Sequence, residues 1–321
     1  MSTSVSLQHH ISDIRSVLAE NVPWSPLDFI RSISISGDKR VYVDRLTRHL
    51  DEQDDIRFVY RYPDGERLAV FAERLPWDSE FFGYGVARLD GVFPLSQPFH
   101  RPYADYTDAL TRLVEEAKGR ETRYLFARID PRDLATLRAL GQLGFCLIET
   151  RSYYYIDIRK YHFPRRFPVR IARSEDTQRL GRVATEMANL YDRFHADPFI
   201  AKEDADRLMY RWVEASICEQ FADFTLVPDL PQPAAFVTVR YNRDLWHRWG
   251  LKLAQGVLSA VSPRHRGWYL KLVSEGIHYL HDNGAERLYV ATQITNYPVI
   301  RVWERLGFRF GRCEHILRII L

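Results

Sequence analysis

The feature that most constrains this chain is a strand, a turn and a helix in direct succession in its last third. The apolar run 256–261 is typical of a buried strand, which Ser262 and Pro263 end. Gly267 lies in the turn, and apolar residues recur at helical spacing over 268–282. The first turn of a helix has unpaired N–H groups and the positive end of the helix dipole, so this arrangement predicts a diphosphate site. The candidate binding residues are Val261, Arg264, His265, Arg266, Gly267, Trp268 and Tyr269.

Further elements follow this turn in a regular order. A short apolar strand over 287–292 precedes Asn296, a short helix over 299–306 ends at Gly307, and the chain finishes with an apolar strand over 315–321. A single arginine and glycine turn is a weak motif. The specificity of the signal comes from the order of the whole set.

In this order, the elements resemble the GNAT family of acyl-CoA N-acyltransferases. The resemblance implies an α/β (α+β) fold, the GNAT fold, with a mixed, mostly antiparallel and splayed sheet. Strands over 234–241 and 252–261, joined across 242–244, would form the splayed centre. The resemblance also implies acetyl-CoA, or another acyl-CoA, as the cofactor.

Three segments narrow the resemblance. Residues 75–83, 140–145 and 288–293 with Asn296 are similar to the TDP-fucosamine N-acetyltransferase family. Those enzymes acetylate the 4-amino group of a nucleotide-linked 4-amino-4,6-dideoxygalactose for cell-surface polysaccharide biosynthesis. The similarity therefore implies a small-molecule amine acceptor, namely a nucleotide sugar of the TDP-4-amino-4,6-dideoxyhexose type.

Two residues depart from the family pattern. Family members commonly have a tyrosine at position 303 that protonates the coenzyme thiolate, whereas Trp303 cannot deliver a proton, although its indole N–H can hydrogen-bond the sulfur. Tyr269 stands where the family usually has glycine or alanine, so its side chain must point away from the diphosphate or stack over the cofactor. The resemblance implies that Asn296 hydrogen-bonds the pantetheine arm of the cofactor. The alternative is that Asn296 caps the helix that follows it.

His195 and Asp197 are, with Trp303, the candidate catalytic residues. They lie in a loop after a predicted helix, and in this fold class that loop roofs the acceptor pocket. An imidazole and a carboxylate can hold a sugar or help to deprotonate its ammonium group. The alternative is a solvated loop in which Asp197 is a capping residue before Pro198.

Composition and charge argue against several classes of protein. The net charge is +3 among 321 residues, and the arginines are spread among 42 acidic residues, so we expect no nucleic-acid partner. The chain has no run of 18 apolar residues, and its first residues lack the features of a secretory signal, so we expect a cytoplasmic protein with no membrane partner. Cys146, Cys218 and Cys313 are far apart, which predicts no disulfide, no metal site and buried thiols.

A shift of the sequence by 163 residues indicates an internal repeat. It aligns Leu125 and 143–145 with Leu288 and 306–308 without a gap. The first half of the chain therefore looks like a degenerate copy of the second half. The alternative is a chance match, since any α/β protein repeats a pattern of helix, strand and helix.

The repeat leads to three predicted segments. These are an N-terminal extension of helices and a hairpin over 1–70, a degenerate half-GNAT module over 71–160 and a catalytic GNAT domain over 161–321. Asp133 and Leu140 stand in the first copy where Asn296 and Trp303 stand in the second, so we expect the first copy not to bind the donor.

Two other functions stay open from the sequence. One is a GNAT acyltransferase that acts on a natural-product or peptide amine. The other is a non-catalytic CoA-binding protein with the GNAT fold, which Trp303 and Tyr269 together suggest. A homodimer is left open as well.

Overall fold

The computed structural model describes residues 3–6, 11–21, 25–33, 39–47, 55–96 and 103–321. The chain forms two compact units. Unit 1 comprises Met1–Thr150 and Cys313–Leu321, and unit 2 comprises Arg151–Arg312. The division falls at 150/151 instead of at the predicted 160/161, and the last residues of the chain belong to the first unit.

Helices and strands follow one another in the same order in both halves of the chain. The first half contains β1 (Thr3–Ser6), α1 (Ile11–Asn21), α2 (Lys39–Thr47), β2 (Ile56–Arg61), β3 (Arg67–Arg74), α3 (Pro76–Phe82), β4 (Gly85–Pro94), α4 (Tyr103–Gly119), β5 (Thr122–Ile129), α5 (Leu134–Gln142) and β6 (Cys146–Asp157). The second half contains β7 (Val169–Ile171), α6 (Thr177–Glu186), α7 (Lys202–Cys218), β8 (Phe224–Pro228), β9 (Ala235–Tyr241), α8 (Arg243–Trp249), β10 (Leu253–Val261), α9 (Trp268–Asp282), β11 (Arg287–Gln293), α10 (Tyr297–Arg305) and β12 (Arg309–Ile320).

The repeat is more complete than the half module that the sequence predicts. Residues 1–70, predicted as an extension, supply β1, α1, α2, β2 and the start of β3 of unit 1. The shift of 163 residues relates α5 to α10 and β6 to β12 at both ends. Unit 1 therefore contains the whole order of elements and not only its second half.

The sheet of each unit is mixed and mostly antiparallel, as predicted. The order is β1-β2-β3-β4-β5-β12 in unit 1 and β7-β8-β9-β10-β11-β6 in unit 2. In each unit the fourth and fifth strands are parallel, whereas the other described pairings are antiparallel. The sixth strand of each unit comes from the other half of the sequence, because residues 315–320 pair with β5 and residues 151–157 pair with β11.

The core of unit 2 lies between its sheet and α9. This helix packs on β8, β9 and β10 and buries Leu272, Val273, Ile277 and Leu280. The helical spacing of these residues places them on one face, which explains why the sequence predicts the helix with its observed bounds. Gly284, with φ at +80°, follows the last turn in the left-handed conformation that commonly ends helices.

Three details differ from the sequence predictions. The connection between β9 and β10 is not a short turn over 242–244, because it contains α8. The final strand begins at Arg309 instead of at His315. Cys146 and Cys218 are exposed, so the prediction of buried thiols is wrong for these two residues.

A β-bulge distorts β10 where it pairs with β9. The register shifts between Gly256 and Ser259, and the side chain of Thr238 on β9 fills the break. Thr238 Oγ1 donates a hydrogen bond of 3.0 Å to the Leu258 carbonyl and accepts one of 2.9 Å from the Leu258 N–H. One buried hydroxyl therefore satisfies both backbone groups that the bulge removes from the ladder.

We predict that Thr238→Val lowers the free energy of unfolding by about 1–3 kcal/mol, because it removes the two hydrogen bonds that Thr238 Oγ1 makes with the Leu258 N–H and carbonyl. The measurement is equilibrium unfolding in urea. Thr225→Val is the matched control, since Thr225 pairs with Thr238 in the ladder and its buried hydroxyl has no hydrogen-bond partner among the described residues. Equal losses in the two variants would contradict this role of Thr238.

Candidate active site

The sheet of unit 2 opens between β10 and β11. Their parallel pairing runs from Leu253 with Arg287 to Gln255 with Tyr289. Both strands continue beyond this point, and β10 is half-exposed over 255–259. The predicted splayed centre therefore lies between β10 and β11, whereas β9 and β10 stay paired through the bulge.

The place at which the strands part is closely packed. Tyr289 and Gln255 are the last paired residues of the two strands, and Tyr289 Oη donates a hydrogen bond of 2.6 Å to Gln255 Oε1. A Cβ atom on Gly256 would lie 2.9 Å from Val290 Cγ1, so a larger residue at position 256 would require the Val290 side chain or the strand to shift. These contacts fix where the opening begins.

The predicted phosphate turn lies between β10 and α9. Val261 ends β10, and a single 3₁₀ turn over Pro263–His265 leads to Gly267. Gly267 has φ at +89° and is the residue that precedes the first turn of α9, a conformation that L side chains rarely adopt. Glycine has no side chain that caps the first N–H groups of α9, so these groups are available to an anion.

Positive charge surrounds the start of α9. Arg264 and Arg266 are exposed and carry positive charge. In contrast, burial lowers the pKa of His265, which favours its neutral form. Lys271 Nζ lies 4.4 Å from the ring centroid of Trp268, one helical turn away. Sequence reasoning missed Lys271, although the spacing of three residues on a predicted helix was a usable signal.

The segment 161–168, which connects the two halves of the sequence, is hydrogen-bonded to the middle of α9. Phe167 N–H and the Arg166 guanidinium donate hydrogen bonds of 2.7–3.1 Å to the buried Glu275 carboxylate. Tyr161 Oη donates to Ser274 Oγ at 2.8 Å. Because these bonds hold the helix at its middle, the turn at its N-terminus has a defined position.

Tyr269 and Trp303 are in direct contact at the start of α9. Trp303 Nε1 donates a hydrogen bond of 2.8 Å to Tyr269 Oη, and Ser259 of β10 hydrogen-bonds the same hydroxyl. The Tyr269 residue as a whole is half-buried, but burial of its hydroxyl raises the pKa to about 12. The side chain therefore points toward β10 and α10.

This contact corrects the predicted role of Trp303. The side chain is 2% exposed, and its single hydrogen-bond donor is already bound to Tyr269. Trp303 is thus not free to hydrogen-bond a thiol sulfur in this arrangement. The sequence could not show this because the two residues are 34 positions apart.

Asn296 takes part in a network of polar side chains at the end of β11. Its Nδ2 donates 2.9 Å to Thr292 Oγ1, and it forms no side-chain cap on α10. Thr292 Oγ1 donates to Gln293 Oε1, which also accepts 2.7 Å from Asn189 Nδ2. Gln293 and Asn189, which sequence reasoning missed, therefore tie the segment after α6 to the end of β11.

Large apolar side chains near the Asn189–Gln293 hydrogen bond are exposed. Leu190 and Tyr191 are 67% and 66% exposed beside Asn189, and Tyr297 is 62% exposed near Gln293. Met187 and Ile294 lie in the same two segments and are also exposed. Both segments that the Asn189–Gln293 hydrogen bond joins therefore carry exposed apolar side chains.

The structure gives His195 a different role from the predicted one. The imidazole is 2% exposed, with Nδ1 at 2.8 Å from Asp192 Oδ2 and Nε2 at 3.2 Å from Asp206 Oδ1. The hydrogen bond with Asp192 is the main cause that raises the pKa of His195. With both ring nitrogens bound, His195 holds the loop to α7 and has no free nitrogen for an acceptor.

Asp197 is also buried within this loop. Its Oδ1 accepts a hydrogen bond of 3.0 Å from the Phe199 N–H. This bond closes a local turn within the loop and does not cap α7, because Ala201 precedes the first turn of that helix. Neither the predicted contact with an acceptor nor the alternative of a capping residue in a solvated loop describes this buried side chain. Of the predicted site residues, the turn, Tyr269, Trp303 and Asn296 lie around the opening, whereas His195 and Asp197 lie inside the loop.

We predict that the stability contributed by His195 depends on pH. Because the folded-state pKa is raised, this contribution is fully present below the ordinary pKa of about 6.5 and is lost as the pH rises through the higher folded value. His195→Asn should lower the free energy of unfolding by about 1–3 kcal/mol near pH 6 and by less near pH 9. Urea unfolding at the two pH values measures this, and His281→Asn, on the exposed end of α9, is the control.

No metal site is evident in the described ranges, where no three His, Cys, Asp or Glu side chains are grouped to hold an ion. Among the helices that the structure describes, none has the length and apolarity needed to span a membrane.

Comparisons with known proteins agree with this geometry. Residues 184–308 match the model of the Acetyltransferase (GNAT) family. No curated protein matches the chain. Among solved structures, a GCN5-related N-acetyltransferase from Sphaerobacter thermophilus has a TM-score of 0.62 at 11% identity and covers 99% of this chain and 95% of its own.

Two further structures are similar in fold. A tandem GNAT protein from the clavulanic acid biosynthesis pathway has a TM-score of 0.54 at 15% identity and covers 100% of this chain and 98% of its own. A GCN5-related glucosamine N-acetyltransferase region of a fungal multi-domain protein has a TM-score of 0.60 at 11% identity and covers 99% of this chain and 38% of its own. The fold is therefore the predicted GNAT fold in a two-module arrangement, and the match to the GNAT family model lies within the second module.

Proposed function

We propose that unit 2 is an acyl-CoA-dependent N-acetyltransferase that acts on a small-molecule amine. The observation that carries this proposal is the glycine turn at the start of α9, which directly follows a strand that has parted from its neighbour. A helix start of this kind binds phosphates, and the edge of a parted strand can hydrogen-bond an extended amide chain. Coenzyme A contains both groups.

The residues present fit this cofactor. The N–H groups at 267–269 and the charges of Arg264, Arg266 and Lys271 would hold its phosphates. The edge of β10 that has parted from β11 would pair with the amides of the pantetheine arm. Acetyl-CoA, when bound, would supply the acyl group as a reactive thioester.

Within this function, we propose a nucleotide-linked deoxyamino sugar as the acceptor. The support is the similarity of 75–83, 140–145 and 288–293 to the TDP-fucosamine N-acetyltransferase family. Of these segments, 288–293 includes Thr292 and Gln293 of the polar network beside the opening.

A second candidate acceptor is a natural-product or peptide amine with an apolar body. The observation that favours it is the exposure of Leu190, Tyr191 and Tyr297 in the two segments that the Asn189–Gln293 hydrogen bond joins. Ligand sites are commonly lined by apolar and aromatic side chains around a few polar groups, and the tie between Asn189 and Gln293 supplies such groups here.

We predict that Gly267→Ala weakens binding of coenzyme A by about tenfold, because Ala strains the left-handed backbone and places a methyl group beside the phosphate site. Isothermal calorimetry measures the affinity. Gly284→Ala is the matched control, since Gly284 also has a positive φ and lies at the other end of the same helix. Both variants should lose similar unfolding free energy, and an equal loss of affinity in both would argue against the phosphate turn.

We also predict release of free thiol when the protein is incubated with acetyl-CoA and a suitable amine. The panel contains TDP- and UDP-amino sugars, aromatic amines and peptides, each monitored with a thiol reagent. Turnover with amino sugars supports the first acceptor class, and turnover confined to apolar amines supports the second. Binding of coenzyme A without turnover on any amine would favour a non-catalytic CoA-binding protein instead.

A further inference from the structure

We propose that Arg240 and the Gln255 amide bind an anionic group of the amine acceptor, and that Tyr289 positions this amide. The protein would then select amines that also carry a phosphate or a carboxylate. This inference rests on the proposed function and specifies its substrate class. Its basis is the register of three adjacent strands, which places the three residues side by side where the strand opening begins.

The pairing of β9, β10 and β11 brings these residues into one row across the sheet. Gln255 is opposite Arg240 in the antiparallel pair and opposite Tyr289 in the parallel pair. Adjacent strands lie about 4.8 Å apart, so the row spans about 10 Å. Residues paired in this way point to the same face of a sheet. All three side chains therefore share one face.

The row lies on the face of the sheet opposite α9. Ala254, Leu288 and Val290, which alternate with the row along β10 and β11, belong to the core that α9 covers. Helix α6 packs on β9 and β10, and the described members of that core include no residue of α6. The row is therefore on the α6 face. Because the donor is proposed to bind at the start of α9 and along the parted edge of β10, the amine approaches from this face.

The surroundings of the row leave space for a ligand. Gln255 and Tyr289 are half-exposed, and Arg240 is exposed. Ala291, two residues after Tyr289 and on the same face, is also half-exposed and has only a methyl group. Two residues of a strand span about 7 Å. An acceptor whose amine lies over Ala291 beside the opening thus places a neighbouring group on the row.

Tyr289 fixes the orientation of the Gln255 amide. Its Oη donates a hydrogen bond of 2.6 Å to Gln255 Oε1. The amide nitrogen has two N–H donors, and within the described ranges Gln255 Nε2 has no hydrogen-bond partner. Because the oxygen and nitrogen of an amide point in different directions, the bond to Tyr289 turns these donors away from it. A group that binds there must supply an acceptor oxygen.

Arg240 adds a positive charge to this end of the row. No ion pair of Arg240 occurs among the residues that the structure describes. Asp223, beside the end of β9, does not neutralise it, since Asp223 accepts 2.7 Å from the Tyr241 N–H and pairs with Arg243. A guanidinium and an amide N–H supply only donors and one positive charge. They favour a phosphate or a carboxylate over an ammonium or an apolar group.

The test compares ligands that differ only in the anionic group. Full-length protein saturated with coenzyme A is titrated in a calorimeter with two matched pairs. One pair is the 1-phosphate of 4-amino-4,6-dideoxygalactose and its methyl glycoside, and the other is phenylalanine and phenethylamine. The wild type should bind the anionic member of one pair about tenfold more tightly, and that pair identifies the source of the anion. Equal affinities within both pairs would overturn the proposal.

Two variants test the residues. Gln255→Glu keeps an acceptor for the Tyr289 hydroxyl but replaces the free N–H donors by a negative charge, and Arg240→Gln removes the cation. Each should reduce the preference for the anionic member about tenfold and leave the affinity for the neutral member unchanged. A merely structural defect would weaken both members alike. Because Arg240 is exposed, Arg240→Gln keeps the test decisive if Gln255→Glu does not fold.

Arg179→Gln is the matched control, since it removes the same charge from an exposed position on α6. It should keep the wild-type preference, and an equal preference in Arg240→Gln would overturn the role of Arg240. Failure of the proposed function gives a different result, because coenzyme A would then not bind at all. Binding of coenzyme A and release of thiol, without a preference for anionic amines, would defeat only this inference.

Discussion

A strand within a sheet is stable because its peptide groups pair with both neighbours, and β10 loses one neighbour after Gln255. The surrounding residues compensate for this loss in the sheet. Thr238 satisfies the bulge on the β9 side, and Gly256 lets β10 pass close to Val290 before the strands part. The result is a strand with one edge that faces an opening, and such an edge can pair with an extended ligand. Each of the other proposed site features lies around this edge.

The two halves of the chain show how little of the fold depends on the residues of the site. Both halves have the same order of elements and the same parallel pair of strands. They differ at the equivalent positions Leu140 and Trp303, and at Asp133 and Asn296. Asp133 caps its helix through the Thr136 N–H, whereas Asn296 bonds to Thr292. The apolar pattern thus maintains the architecture in both copies, and the differences at these positions affect the proposed donor site without changing the fold.

Local patterns allowed much of unit 2 to be predicted from the sequence. The helix α9 was predicted with its observed bounds because its period, its glycine start and its glycine end agree. The partners of β6 and β12 could not be predicted, since an apolar strand fits any free edge and its choice depends on the whole topology. The role of His195 was also hidden, because Asp206 lies on a different element and its contact depends on how α7 packs.

The sequence predicts that Trp303 departs from the family pattern, and the consequence of this departure depends on a second residue. A buried indole N–H needs an acceptor, and Tyr269 provides one at 2.8 Å. In turn, a tyrosine at a position that the family usually fills with glycine or alanine needs room, which it finds between β10 and α10. The two departures therefore satisfy each other's requirements, and their free-energy contributions should not be additive. This mutual dependence explains how one chain can hold both substitutions without losing the packing of its core.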